Sequence, residues 1–404
     1  MLDTRTIEVI KSTVPVLEVH GQTITKTFYQ TMFKNHPELL NVFNHANQRQ
    51  GKQPTALANA VYAAAAHIDR LEEILPVVRG IAQKHRALGI QPEHYPIVGE
   101  NLLAAIKTVP GDAATEEILD AWGKAYGVIA DVFISVEAEM YREAEEKKGG
   151  WRGFRRFIVD RKIKESDVIT SFYLKPEDGQ AIASYEPGQY ITVRVKPEGQ
   201  EFTHLRHYSL STAPGQPYYR ISVKREDAAD DRPAGVVSTY LHTRIGEGDV
   251  LELSAPAGDF TLDPSQNLPL VLLSGGVGLT PMVSMLETAL QSGAKRDIVY
   301  VHAARSVQHH AMKEHIAELA RTHDNLRAYT VYETPETGES SDKTGYIDLP
   351  WLKTVAEADS DFYFCGPVPF MKAVRRALKD WGVPDERIHF EFFGPADSLE
   401  DTIS

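Results

Sequence analysis

The sequence predicts a multi-domain chain of three successive fold classes: an all-α first third, an antiparallel β-barrel in the middle and an α/β domain with a parallel sheet at the end. Three observations carry this. Apolar residues keep a helical period from Leu2 to about Lys148, and short β-rich runs separated by turn residues replace it after Gly153. From Leu268 onward, strand, glycine loop and helix alternate. The length agrees, because 404 residues exceed one ordinary hydrophobic core. The expected divisions are 1–148, 151–263 and 264–404.

Composition narrows the functional classes. With 42% hydrophobic and 25% charged residues the chain is neither disordered nor fibrous. A formal net charge of -13 opposes general binding to nucleic acid or anionic membranes, although a local basic pocket for phosphates stays compatible with it. The single cysteine, Cys365, excludes an internal disulfide and a multi-cysteine metal cluster. The N-terminal Met-Leu-Asp-Thr-Arg-Thr leads straight into an amphipathic helix, and no apolar run reaches the length of a membrane span. A cytoplasmic monomer with small-molecule partners, no nucleic acid and no obligatory membrane is the expectation.

In the first third, Ile7, Ile10, Val14 and Leu17 mark a helix ending near Gly21, and Ile24, Phe28 and Met32 mark a second ending before Pro37. A short turn runs through Phe43. Pro54 can open the next helix, whose stripe is Leu57, Val61, Ala64 and Ile68, with Gln53 extending it. Three further helices hold His85, the run Tyr95 to Ile106, and Thr115 to about Glu146.

Two polar residues fall on apolar stripes. Ile81, His85 and Leu88 lie at i, i+4 and i+7, so a helix stopped by Gly89 presents the imidazole to an apolar interior. Either a backbone carbonyl satisfies it as a core histidine, or it ligates a metal. A neutral imidazole facing apolar walls is what haem iron needs on its proximal side. The stripe of the last helix runs Ile118, Trp122, Ile129, Phe133 and Met140, and Glu137 falls on it. Burying that carboxylate alone costs several kcal/mol, roughly, so it either bends out to water or pairs inside, with Tyr95 and the free nitrogen of His85 as candidates.

These residues resemble a bacterial globin, and the chain as a whole resembles the flavohaemoglobins, also called nitric oxide dioxygenases. The matching residues are Phe43 beside the haem, Tyr29 and Gln53 on the distal side, His85 in Ile-Ala-Gln-Lys-His as the proximal iron ligand, and the proximal pair Tyr95 and Glu137. The resemblance implies haem b, a hydrogen bond from Tyr29 to oxygen on the distal side with Gln53 assisting, and an iron made electron-rich by Glu137 through His85.

Glu143 to Gly153 joins a charge run to a glycine pair and reads as a boundary. Beyond it lie the β runs Phe157 to Ile163, Val168 to Leu174, Tyr190 to Val195, Tyr219 to Lys224 and Val250 to Leu253. Among them Arg206-His207-Tyr208-Ser209 matches the flavin signature of the ferredoxin-reductase family. On a strand Arg206 and Tyr208 point to one side, so a guanidinium can hold a flavin phosphate while a phenol packs on the ring, and Ser209 can reach the ring near N5. Pro187-Gly188-Gln189-Tyr190 precedes the signature as in that family. Gly235-Val236-Val237-Ser238 starts a helix whose free N–H groups, with the Ser238 hydroxyl, suit a pyrophosphate. The resemblance implies FAD.

In the last third the runs are Leu270 to Ser274, the loop Gly275-Gly276-Val277-Gly278-Leu279-Thr280-Pro281, a helix Met282 to Gln291 and a strand Ile298 to Ala303. The loop departs from G-x-G-x-x-G, because Pro281 stands where the last glycine would be, and it matches the nicotinamide loop of the same reductase family instead. Strand Asp361 to Cys365 runs into Gly366-Pro367 and a helix Val368 to Trp381; the resemblance implies that Cys365, Gly366 and Pro367 approach the nicotinamide. Cys365 otherwise reads as a small buried hydrophobe without covalent chemistry. Glu391-Phe392-Phe393-Gly394-Pro395 resembles the tail that closes over the flavin, Glu391 lying where the family tunes electron transfer to haem. NADH is the implied donor; Arg305-Ser306 is placed where NADPH would present its extra phosphate.

The implied activity is oxidation of nitric oxide by O2 to nitrate, with electrons passing from NAD(P)H through FAD to haem. Three other readings fit the residues: an NADH-driven flavohaem reductase for peroxides or other acceptors, an oxygen-binding or sensing protein, and a flavin reductase with a haem-less helical domain.

Overall fold

The structure, a computed structural model, describes residues 2–43, 52–229, 233–263, 265–293 and 295–393. Gly394 and Pro395, expected at the flavin, lie outside them.

Helix α1 (Thr4–Asn35) opens at Asp3, whose carboxylate accepts from the Thr6 N–H. The expected division at Gly21 is corrected. The helix runs straight through it, because Ile10, Leu17, Ile24, Phe28 and Met32 form one continuous buried stripe. Gly21 serves close packing, since a Cβ there would lie 3.6 Å from Ala58 Cβ on helix α2 (Lys52–Ala66). A glycine inside a helix costs about 1 kcal/mol against alanine, which tight helix contact offsets.

After α2 come α3 (Leu75–Leu88), α4 (His94–Thr108) and α5 (Glu116–Glu146). Gly89 ends α3 in the left-handed region at φ 82°, and Thr115 caps α5 by accepting from the Ile118 N–H. Both ends match the sequence pattern. Leu102, Ile106 and Trp122 close the helical core over the α1 stripe.

The middle of the chain folds into six antiparallel strands, β1 (Phe154–Lys164), β2 (Ile169–Pro176), β3 (Tyr190–Val195), β4 (His204–Ser209), β5 (Tyr219–Lys224) and β6 (Val250–Ser254). Their order is β4-β3-β6-β1-β2-β5, and a bridge between Leu210 and Ile221 joins the end of β4 to β5, closing the barrel. Phe157, Phe172, Ile191, Val193 and Tyr219 fill it, and helix α6 (Val236–Arg244) adds Val237 and Leu241 to the same core.

The last part holds a six-stranded parallel sheet in the order β10-β9-β8-β7-β11-β12. Its strands are β7 (Leu270–Gly275), β8 (Ile298–Ala304), β9 (Leu326–Tyr332), β10 (Lys343–Thr344), β11 (Asp361–Cys365) and β12 (Ile388–Glu391). Helices α7 (Leu279–Gln291) and α8 (Lys313–Thr322) pack on one face, and α9 (Leu349–Val355) and α10 (Val368–Asp380) on the other. Helix α7 starts three residues before the expected Met282, because Pro281 in the first turn needs no N–H partner. No described helix is long and apolar enough to cross a membrane.

Candidate functional site

His85 lies near the end of α3, the Tyr95 side chain near the start of α4, and Glu137 on the inward face of α5. The fold brings all three together. His85 Nδ1 is 2.7 Å from Glu137 Oε1, and the Tyr95 hydroxyl donates to that same oxygen at 2.6 Å. Glu137 is 3% exposed, so it does not bend out to water. Burial, followed by the hydrogen bond to Glu137, drives the Tyr95 phenol far above its usual value, which keeps it a donor. The start of α4 is itself held, because the Tyr126 hydroxyl donates to the Tyr95 carbonyl at 2.6 Å. With Oε1 accepting, Nδ1 carries the imidazole proton and Nε2 keeps its lone pair. Nε2 has no partner among the described residues.

Also in the helical domain, Tyr29 is buried in an aromatic group, its ring centroid 4.7 Å from Phe28, 5.7 Å from Phe33 and 5.8 Å from Phe43. Gln53 lies on α2, and its Oε1 is buried without a hydrogen-bond partner. An orphaned amide oxygen and an uncommitted imidazole nitrogen, in a domain walled by aromatic rings, fit a haem with a polar ligand on its distal side.

In the barrel, the register pairs Ile191 with Tyr208 and Val193 with Arg206, so these four share one face of the β3–β4 ladder. Tyr190, Thr192, His207 and Ser209 share the other. His207 is exposed and its Nδ1 lies 2.8 Å from Thr192 Oγ1. Ser238, near the start of α6, donates to the Gly235 carbonyl at 3.3 Å and accepts from the Glu226 N–H at 3.1 Å.

The order of the parallel sheet reverses between β7 and β11, and in such sheets the crevice beyond the strand ends at this point takes the ligand. Both sequence-predicted loops meet there. A short 3-10 turn, Gly276–Gly278, leads into Leu279, Thr280 and Pro281, the first turn of α7; the Leu279 N–H bonds back to the Gly276 and Val277 carbonyls, and Pro281 carries no N–H. Gly278 packs so closely on the Cys365 carbonyl that a Cβ would overlap it, with Gly366 and Pro367 following directly. Cys365 is fully buried, and burial pushes its thiol well up, which leaves it inert.

A fourth cluster joins the three parts. Glu391 ends β12, its Oε2 buried without a partner, and burial lifts its carboxyl to about 7, with Lys84 opposing and Asp259 adding. The Tyr190 hydroxyl is also buried and unpartnered. Phe392 is half-buried and Phe393 exposed beyond β12. Arg86, next to His85, reaches across to the Pro256 carbonyl at 2.6 Å, and Ala87 packs with Tyr190 and Ala257. The helix that presents His85 therefore docks directly on the strand that carries Tyr190.

Known proteins place this arrangement. A flavohemoprotein of Halalkalibacterium halodurans is 56% identical over 403 residues, covering 98% of both chains. The chain belongs to the flavohemoproteins. The Globin family matches residues 26–133, the Oxidoreductase FAD-binding domain residues 156–262 and the Oxidoreductase NAD-binding domain residues 272–376. Among solved structures, a flavohemoglobin from Malassezia yamatoensis with bound FAD and heme superposes with a TM-score of 0.83 at 26% identity, over 97% of this chain and 100% of that one. The FAD/NAD-binding domain of nitric oxide dioxygenase from Vibrio cholerae matches 60% of this chain and 100% of its own at 40% identity and a TM-score of 0.56.

Sequence reasoning missed part of this flavohemoprotein's site. Lys84 and Asp259 face Glu391 from different domains, and Arg86 reads as an ordinary helix-end cation. Lys84 and Arg86 flank His85, but nothing in local spacing marks Asp259.

Proposed function

We propose that this protein is an NAD(P)H-dependent nitric oxide dioxygenase, in which NADH reduces FAD and the electrons pass to haem b, where nitric oxide and O2 are converted to nitrate. One observation carries the reading: a histidine of the globin domain hydrogen-bonded to a buried carboxylate lies in the same chain as FAD-binding and NAD-binding domains. Simple oxygen storage needs neither. The likeness to the FAD/NAD-binding domain of a nitric oxide dioxygenase supports it as well.

When bound, haem would supply oxygen chemistry at iron, and FAD the exchange between a two-electron donor and one-electron steps. The chain supplies the rest. His85 would hold the iron through Nε2 while Glu137 accepts the Nδ1 proton, fixing the ring and raising its basicity. Tyr95 holds Glu137 Oε1 in place. Tyr29 and Gln53 would orient oxygen, and the aromatic wall of Phe28, Phe33 and Phe43 excludes water. In the barrel, Arg206 and Ser238 would bind flavin phosphates, while Tyr190, His207, Tyr208 and Ser209 would position its ring. Gly276 to Pro281 and Cys365 to Pro367 would seat the nicotinamide, and Glu391 to Phe393 would cover the flavin. Arg305 lies exposed after β8 and reads as a solvated arginine, and NADH is taken as the first donor.

Two variants test the haem pocket. Tyr29→Phe removes the distal donor and is expected to lower nitric oxide consumption about 10–100-fold while oxygen dissociates faster, because a hydrogen bond to a charged or strongly polar group contributes about 1.5–3 kcal/mol. Stopped-flow mixing with nitric oxide in air measures both. Glu137→Gln keeps the shape and weakens the acceptor, and about a tenfold loss of turnover is expected, at the lower end for partners of a metal ligand. Unchanged nitric oxide turnover in both variants would remove the proposed roles.

A further inference from the structure

Glu287 is a buried acid that neither the haem pocket nor the nucleotide loops use. It lies on α7, two turns beyond the glycine loop, and is 8% exposed. Its Oε2 accepts from Thr212 Oγ1 at 2.8 Å and from the Ala213 N–H at 2.7 Å. Its Oε1 faces Arg220 Nη2 at 3.2 Å and His315 Nε2 at 2.8 Å. One turn earlier on the same helix, Ser284 Oγ donates to the Thr212 carbonyl at 2.7 Å. Burial alone would raise the Glu287 carboxyl, but His315 and Arg220 overcome it and hold the group below its ordinary value, as a carboxylate.

All of these bonds except the one to His315 cross between two domains. Thr212 and Ala213 follow the end of β4 by three and four residues, and Arg220 belongs to β5, so they are parts of the barrel. Glu287 and Ser284 are parts of the α/β domain. A buried ion pair adds little net stability, because desolvation cancels most of its attraction, and apolar residues could fill the same space. What directional bonds add is register. Two anchors one turn apart on α7 fix both its rotation and its position along its axis against the segment that follows Ser209. The N-terminal end of that rigid helix carries Gly276 to Gly278, and the N-terminal side of that segment carries the flavin signature.

We propose that the Glu287 cluster is a positioning device that sets the nicotinamide against the flavin for hydride transfer. In the step it serves, the C4–H bond of NADH breaks and an N5–H bond forms on FAD. The hydride carries both electrons, so NADH leaves as NAD+ and the flavin is reduced. The inference rests on the nicotinamide-to-flavin half of the proposed function and is independent of the chemistry at haem. Reaction between two bound groups is steep in geometry, a displacement of about 1 Å costing roughly 100-fold, and helix α7 transmits any displacement at Glu287 to the loop.

The test uses full-length protein loaded with haem and FAD, as Glu287→Gln and, in case that variant folds poorly, Ser284→Ala. Anaerobic stopped-flow with NADH, and with NADH deuterated at the transferred hydrogen, follows flavin reduction. Glu287→Gln is expected to slow flavin reduction about 10–100-fold, to weaken the long-wavelength charge-transfer band of nicotinamide on flavin, and to change the isotope effect. Ser284→Ala should shift the same readouts in the same direction by less. Electron passage to haem from chemically reduced flavin should keep its rate in both. Normal flavin reduction and an unchanged isotope effect in both variants would overturn the inference, including where the melting temperature falls, because the cluster would then be structural only. Slowed flavin reduction in a protein that makes no nitrate would uphold the inference and overturn the dioxygenase reading instead.

Discussion

His85→Ala is expected to purify with flavin and without haem, to lose nitric oxide consumption completely, and still to reduce ferricyanide with NADH. The His85 imidazole is the one whose Nε2 is left uncommitted in an apolar domain while its Nδ1 is held by Glu137. Alanine keeps α3 helical, being the best helix former, so the helix contacts through Arg86 and Ala87 should survive. The loss has a second part. Glu137 is left with Tyr95 as its remaining described partner, and losing one hydrogen bond to a charged group costs about 1.5–3 kcal/mol. Free imidazole added to the variant can fill the vacated space, donate to the carboxylate and offer a nitrogen to iron. Recovery of a haem absorption band with imidazole would separate loss of the ligand from loss of the fold. Retention of haem without it would show that another residue ligates the iron.

Gly278→Ala is expected to give the complementary protein: haem and flavin present, nicotinamide reaction lost. The backbone at Gly278 is ordinary for any residue, with φ -59° and ψ -6°, so the demand is for space and not for conformation. An added Cβ would overlap the Cys365 carbonyl and crowd the Gly366 nitrogen. Both are backbone atoms in a fully buried strand end and cannot turn aside, so the loops after β7 and β11 must part, at about 1–3 kcal/mol for overpacking. Flavin reduction by NADH should fall about 100-fold, as expected for a displacement near 1 Å, while dithionite still reduces both flavin and haem. Melting curves alongside the kinetics would show whether the effect is local. Unimpaired reduction by NADH would place the nicotinamide away from these loops.

The three fold classes were legible because each has its own period, and local chemistry marked Gly89 and Thr115 as helix ends. Glu137 was legible as a buried acid from its place on the α5 stripe, and its pairing followed from the cost of leaving it alone. Gly21 misled because a glycine can end a helix or let two helices touch, and only the position of Ala58, far along the chain, decides which. Pro281 misled similarly, since a proline closing a loop and a proline in a first helical turn leave the same local pattern. The junction of Lys84, Asp259 and Glu391, and the anchoring of Glu287 by Thr212 and Arg220, depend on how whole domains dock. That information sits in shape and register between elements, and no short window of sequence holds it.

The most direct test of the proposed activity is a stoichiometry. Purified protein loaded with haem and FAD is supplied with NADH, nitric oxide and oxygen, and all reactants are followed together with nitrate. A dioxygenase uses nitric oxide and oxygen in equal amounts, forms as much nitrate, and oxidises half as much NADH, since each nitrate needs one electron returned to iron. NADH oxidation that proceeds unchanged when nitric oxide is added, with no nitrate formed, would contradict the account and leave a flavohemoprotein with a different acceptor.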